Sequence, residues 1–215
     1  RDSKVLLVVG GSQGARAVNQ ALLGAIEKVM RGELPAPPAS LEILWGTGPT
    51  QFDAVREKLN ELGNPAWVHA FGYIEAMPEA LAASQIAVSR AGAMATAELL
   101  AWGIPMVLIP LPTAAADHQR FNARALQDAG AAVMVEEKDL TPDRLWADIH
   151  RLASDEARHN EMAQAALARA RPDAARDIAR ECRVGVAVGD DDHPRSGKGH
   201  DLLAQQRPAA ALDQR

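Results

Sequence analysis

The sequence predicts an α/β domain built on a six-stranded parallel sheet. Three observations predict it. Short apolar runs rich in Val, Leu and Ile alternate with stretches of helical periodicity, the order that crossovers between parallel strands impose. The runs are apolar along their whole length, as in Val5-Leu6-Leu7-Val8-Val9, which is the pattern of a strand covered on both faces. The first run then passes straight into Gly10-Gly11-Ser12-Gln13-Gly14-Ala15-Arg16, a glycine-rich elbow that turns a strand into a helix.

Each element follows from its own residues. After the elbow, Ala15 to Arg31 carries Val18, Leu22, Leu23, Ile26, Val29 and Met30 at helical spacing, and Pro35, Pro37 and Pro38 make a loop. Leu41 to Trp45 is the second strand, and Gly46-Thr47-Gly48-Pro49 opens a helix from Thr50 to Leu62. Trp67 to Ala70 is a short third strand, followed by a loop at Phe71-Gly72-Tyr73-Ile74. Pro78 to Ala83 is a short helix with proline at its favoured first position. Ile86 to Ser89 is the fourth strand; Arg90-Ala91-Gly92-Ala93 leads into a helix through Trp102, which Gly103 ends. Met106 to Ile109 is the fifth strand, Asp117 to Asp128 a helix, and Ala132 to Val135 the sixth strand. Thr141-Pro142-Asp143 supplies a cap and a first-turn proline for a further helix, and Ala-rich helix continues to Cys182.

Residues 1–182 thus read as one Rossmann-like domain. From 183 to 215 the large apolar residues thin out and lose any period, so this stretch is expected to be a tail without fixed structure. Its Asp190-Asp191-Asp192-His193 run reads as solvated charge rather than a metal site. The chain opens on Arg1-Asp2-Ser3-Lys4, one step before a buried strand and without a signal-peptide pattern, so it is expected to be part of a longer protein.

Composition narrows the function. A net charge of -5 and 4% aromatic residues argue against a nucleic-acid partner, which calls for a basic face or stacking platforms. The single cysteine, Cys182, excludes an internal disulfide and a Cys-based zinc site. No apolar stretch approaches the roughly 20 residues that span a bilayer.

In an open parallel sheet, ligands gather beyond the carboxyl ends of the strands, near a topological switch point. Four segments fall there. The first strand ends in Gly10, Gly11, Ser12, Gln13 and Gly14; the third in Tyr73, Ile74 and Glu75. The fourth ends in Arg90-Ala91-Gly92-Ala93-Met94 with Glu98 one turn into the helix, and the fifth leads to Asp117, His118, Gln119 and Asn122. Three of the four precede helix starts, so two elbows can share one diphosphate on free N–H groups with helix dipoles behind them. The first elbow is neither G-x-G-x-x-G nor a Walker loop, and by itself it also reads as a tight turn that binds nothing. Glu98 is either a partner for a ribose diol or one half of an ion pair with Arg90 or Arg124. Gln119 and Asn122, three apart on one helix face, can read sugar hydroxyls or an acetamido group, or simply cap and solvate the helix. Ser12 equally serves as a helix cap.

Taken in order, the motifs resemble the MurG family. They are Gly10-Gly11-Ser12-Gln13-Gly14-Ala15, Gly72-Tyr73-Ile74-x-x-Met77, Ser89-Arg90-Ala91-Gly92-Ala93-x-x-x-x-Glu98, Gly103-Ile104-Pro105, Asp117-His118-Gln119-x-x-Asn122-Ala123 and Ala129-Gly130-Ala131-Ala132. That family transfers N-acetylglucosamine from UDP to undecaprenyl-diphospho-muramoyl-pentapeptide in peptidoglycan synthesis. The resemblance spans Val5 to Cys182, the carboxyl-terminal, donor-binding half of a two-domain GT-B glycosyltransferase. It implies that Ser12 and the Gly10–Gly14 backbone face the diphosphate together with Ala93 and Met94. It further implies that Ile74 pairs with uracil, Glu98 with the ribose, and Gln119, His118 and Asn122 with the sugar. His118 departs from relatives that carry glutamine there. The general base and the acceptor site are implied for an amino-terminal domain outside this sequence. No metal or other cofactor is implied, since helix dipoles can carry the charge. The resemblance implies a UDP-N-acetylglucosamine donor, a lipid-linked acceptor and a peripheral place on the cytoplasmic face of the bacterial inner membrane. Rival readings are another GT-B sugar-nucleotide enzyme, such as a glycolipid glycosyltransferase or a UDP-sugar 2-epimerase, and a sugar-nucleotide-binding module without turnover.

Overall fold

The computed structural model describes residues 3–11, 13–38 and 40–188. The chain falls into two compact units divided between Pro172 and Asp173. The first unit holds a six-stranded sheet of β1 (Lys4–Val9), β2 (Leu41–Gly46), β3 (Val68–Phe71), β4 (Ile86–Ser89), β5 (Met106–Leu108) and β6 (Ala132–Met134). Their order is β3-β2-β1-β4-β5-β6, and every neighbouring pair is parallel. The expected fold class is the observed one.

The apolar runs form strands because both faces are covered. Leu6 and Val8 of β1 enter one core while Leu7 enters the other. In β4, Ile86 and Val88 divide from Ala87 in the same way. The first core is closed by α1 (Arg16–Met30), α2 (Phe52–Glu61) and α6 (Pro142–Ser154), the second by α3 (Met77–Ala83), α4 (Ala93–Ala101) and α5 (His118–Asp128). The remaining helix of this unit, α7 (Glu156–Arg169), sends Met162 to the first core and Ala166 to the second. Each fully buried Leu or Ile contributes about 1.5–3 kcal/mol, so the double covering is what holds these short strands.

The second unit contributes α8 (Ala174–Val188). The sequence reading ended helix at Cys182, whereas α8 runs on to Val188. The physical reason is modest: one glycine, here Gly185, costs a helix only about 1 kcal/mol relative to alanine and does not end it. The Asp190-Asp191-Asp192-His193 run and Ser12 lie outside the described residues.

The sheet order places the site. It reverses between β1 and β4, whose following helices α1 and α4 pack into opposite cores. Chains that leave adjacent strands for opposite faces open a crevice at their carboxyl ends.

Candidate functional site

A cleft of about 540 Å³ occupies that crevice. Leu7 and Val9 line it from β1, Gly11 from the turn after β1, and Gly46 and Gly48 from the end of β2. The loop after β3 adds Tyr73 and Ile74, and α4 adds Met94, Ala95 and Glu98. The lining is mostly apolar, and Glu98 is the one acidic or basic residue among the described residues that line it.

The glycines of the first elbow divide the work between them. Gly14 N–H donates to Gly11 O at 2.9 Å, closing a tight turn. At Gly14 φ is +76°, and an added Cβ would strike the carbonyl of Thr47. Reciprocally, Gly48 has φ of +85° and sits against the backbone of Gln13. The turns after β1 and β2 therefore pack backbone on backbone. Gly10 is closed in by the backbone of Ala15. Gly11 differs: φ is +88°, but nothing lies within 4 Å of where its Cβ would be. Of these glycines, only Gly11 turns an open face to the cleft.

Buried polar groups brace this arrangement. Asn19, 3% exposed, donates from Nδ2 to Thr47 O at 2.7 Å and accepts from Trp45 Nε1 at 3.0 Å. Thr47 N–H donates to Phe71 O at 2.9 Å, which ties the β2 turn to the end of β3. Burying these groups is tolerable because each finds a partner.

The second elbow lies between β4 and α4. Gly92 is the N-cap of α4, with φ of −68°, and no side chain caps the helix. α1 likewise starts without a side-chain cap among the described residues. In contrast, Thr141 and Asp155 cap α6 and α7 through their own oxygens. Uncapped N–H groups at a helix start are donors waiting for an anion. Just before the elbow, Arg90 donates to the carbonyls of Ile109 and Pro110, both at 3.2 Å, and its guanidinium meets Glu137 at 2.5 Å. Glu98 stands apart from it. It is exposed at the cleft and makes no ion pair or side-chain hydrogen bond among the described residues. Of the two partners the spacing allowed, Arg90 is engaged elsewhere.

Helix α5 follows the loop after β5. Ala116 and Asp117 enter it with φ of 48° and 56°, a left-handed pair without glycine. His118 is exposed, with Nδ1 2.7 Å from Ala115 O. Gln119 Oε1 accepts from the N–H groups of Ala91 at 3.2 Å and Leu111 at 3.1 Å, and Asn122 Nδ2 donates to Ala91 O at 3.1 Å.

Residues 5–178 match the family described as the glycosyltransferase family 28 C-terminal domain. The chain belongs to that family. One relative is a UDP-N-acetylglucosamine--N-acetylmuramyl-(pentapeptide) pyrophosphoryl-undecaprenol N-acetylglucosamine transferase of Desulfitobacterium hafniense, 38% identical over 185 residues, 84% of this chain and 48% of the relative. A like-named transferase of Salinibacter ruber is 42% identical over 180 residues, 84% of this chain and 46% of its own. The chain thus spans about half the length of the curated relatives it matches. Among solved structures it is similar to Acinetobacter baumannii MurG, with a TM-score of 0.71 and 29% identity over 85% of this chain and 52% of that one. An S. aureus MnaA–UDP co-structure, at 12% identity and a TM-score of 0.63, shares the fold; the overlap is 87% of this chain and 47% of that one.

In this family 28 domain, Gly11, Ile74, Met94 and Glu98 line one cleft, while Ala93 opens α4 beside it. Gly10, Gln13 and Gly14 build the turn behind Gly11 and do not line the cleft. His118, Gln119 and Asn122 lie on α5 and are absent from the lining. The sequence reading overlooked Gly46 and Gly48 as cleft residues, while Tyr73, which it placed at the end of β3, does line the cleft. A signal was present: the rule that took in the ends of β1, β3, β4 and β5 applies equally to β2, whose Gly46-Thr47-Gly48 follows it at once.

Proposed function

We propose that this domain holds UDP-N-acetylglucosamine for transfer of its sugar to a lipid-linked muramoyl-pentapeptide in peptidoglycan synthesis. One observation carries the reading: an open-faced Gly11 turn, the uncapped start of α4 and the Glu98 carboxylate, unpartnered among the described residues, share a single cleft. A nucleoside diphosphate satisfies all three. Its phosphates accept from backbone N–H groups at Gly11 and at Ala93 and Met94, and its ribose diol donates to Glu98. The uracil edge meets the backbone at Ile74. Gln119, whose Oε1 is already occupied by two backbone donors, offers Nε2 to a sugar oxygen, with His118 beside it.

The chemistry follows from that placement. The acceptor's C4 hydroxyl attacks the anomeric carbon, and the bond from that carbon to the UDP oxygen breaks. Negative charge gathers on the departing diphosphate, where preorganised N–H groups and the α4 dipole stabilise it. Removal of the hydroxyl proton and contact with the acceptor belong to a preceding domain of the longer protein. The lipid-linked acceptor brings that protein to the cytoplasmic face of the membrane as a peripheral enzyme. No helix of the described residues is long and apolar enough to cross a bilayer.

Calorimetric titration of the chain with UDP and with UDP-N-acetylglucosamine tests the reading. Both bind, and Glu98→Ala weakens both by about 1.5–3 kcal/mol, the range for hydrogen bonds to a charged group. Unchanged UDP affinity in a folded Glu98→Ala variant removes Glu98 from the ribose, and failure of wild type to bind UDP overturns the donor assignment.

A further inference from the structure

We infer that Glu137 is a positioning residue: through Arg90 it fixes the peptide plane that aims the Gln119 amide at the sugar of the donor. The inference rests on the donor reading above for its ligand, but its geometry stands apart from it. Gln119 Oε1 accepts from the N–H groups of Ala91 at 3.2 Å and Leu111 at 3.1 Å. Two donors identify that atom as the oxygen and leave Nε2 to point away from both. The Leu111 N–H shares its peptide unit with the Pro110 carbonyl, and a trans peptide is planar. Arg90 Nη1 donates to that carbonyl and to the carbonyl of Ile109, both at 3.2 Å. Arg90 thus holds the oxygen end of a plane whose N–H end holds Gln119.

Glu137 keeps Arg90 in that place. The Arg90 side chain is only 12% exposed, and two neutral carbonyls do not balance its charge. Glu137, in the turn that follows β6, meets Nη2 at 2.5 Å. It is the one carboxylate paired with Arg90 among the described residues. A guanidinium left nearly buried without a counter-ion is costly, and a long, flexible side chain relieves that cost by turning to water. The Pro110 carbonyl then loses its donor, and the Leu111 N–H loses its fixed direction. Neither Glu137 nor Arg90 lines the cleft. Glu137 acts from outside it, on the loop that joins β5 to α5.

Two ligands separate this role from a general one. Wild type, Glu137→Ala, Arg90→Ala and the double variant, each as the whole chain, are titrated with UDP and with UDP-N-acetylglucosamine. Glu137→Ala should weaken UDP-N-acetylglucosamine roughly three- to tenfold, as for the loss of one hydrogen bond, and change UDP by less than about twofold. In the Arg90→Ala background the same substitution should add nothing, because the two side chains act as one unit. Equal loss for both ligands would make Glu137 a general structural residue. Unchanged affinity for UDP-N-acetylglucosamine would detach it from the sugar, and a full further loss without Arg90 would give it another route. Each of these overturns the proposal. Should Arg90→Ala fail to fold, the single Glu137 variant decides. Amide hydrogen exchange without ligand supplies an independent measurement. In Glu137→Ala the N–H groups of Ala91 and Leu111 should exchange faster while those of β1 keep their protection. Unchanged exchange at both overturns the proposal even if wild type binds neither ligand, an outcome that by itself counts only against the donor reading.

Discussion

Replacing Gly11 and Gly14 one at a time by alanine separates two jobs that glycines of one elbow perform. At Gly11 the backbone has φ of +88° and the Cβ enters open space. The substitution costs only the left-handed penalty, about 1–2 kcal/mol. At Gly14 the same penalty applies at φ of +76°, and the Cβ also runs into the Thr47 carbonyl. That carbonyl is held by Asn19 at 2.7 Å and cannot simply withdraw. Overpacking of this kind costs about 1–3 kcal/mol more, which brings Gly14→Ala to roughly 2–5 kcal/mol. Ligand binding runs the other way. If the diphosphate sits on this turn as proposed, a methyl group at Gly11 stands where its oxygens approach the backbone, and loss of a charge-assisted hydrogen bond of about 1.5–3 kcal/mol means roughly 10- to 150-fold weaker UDP binding. Urea unfolding gives the stabilities, calorimetry the UDP affinity, and ligand-observed NMR the weaker uridine affinity. Gly11→Ala should fold, keep uridine and lose most of its UDP affinity. If it binds UDP as wild type does, the diphosphate does not sit on this turn; if Gly14→Ala is no less stable than Gly11→Ala, the backbone packing onto Thr47 is not what requires glycine there.

Three further outcomes are expected. Asn19→Ala orphans two buried groups, the Thr47 carbonyl and the Trp45 indole N–H, and should lower stability by about 2–6 kcal/mol in urea unfolding, since each orphan costs about 1–3 kcal/mol. Arg144→Ala leaves the Asp148 carboxylate, 3% exposed, without the guanidinium now 2.7 Å away. A loss of about 1–3 kcal/mol should follow, with Asp148→Asn losing less because it buries no charge. The Lys28 ammonium, 2.6 Å from Asp143, holds that carboxyl below its ordinary value. A depressed acid contributes stability above the ordinary carboxylate range and loses it as pH falls through the folded-state value. The melting-temperature difference between wild type and Lys28→Ala should therefore be small, present at neutral pH, reduced by salt and absent in strong acid.

The sequence by itself determined the elements and their class. Runs such as Val5 to Val9 and Ile86 to Ser89 carry no polar alternation, and only a sheet covered on both faces buries such strands. It also placed the candidate site at the strand ends, because the glycine elbows, Ile74, Glu98 and the α5 amides all fall there by their order along the chain. Which of them meet came from the tertiary structure. Gly11 and Gly14 are chemically identical residues of one motif, yet one faces the cleft and the other Thr47, a residue of a different strand turn. Arg90 and Glu98 stand at a spacing that permits an ion pair, but Arg90 instead finds Glu137, in the turn that follows β6. Asn122 looks like a surface amide on its own helix and instead holds Ala91 across 31 residues of sequence. Local sequence encodes the torsions and the apolar period of each element. Partners far along the chain are chosen only when the sheet order brings their strand ends side by side, because a backbone carbonyl or an ion has no identity in the sequence until packing decides which neighbours lie within hydrogen-bonding reach.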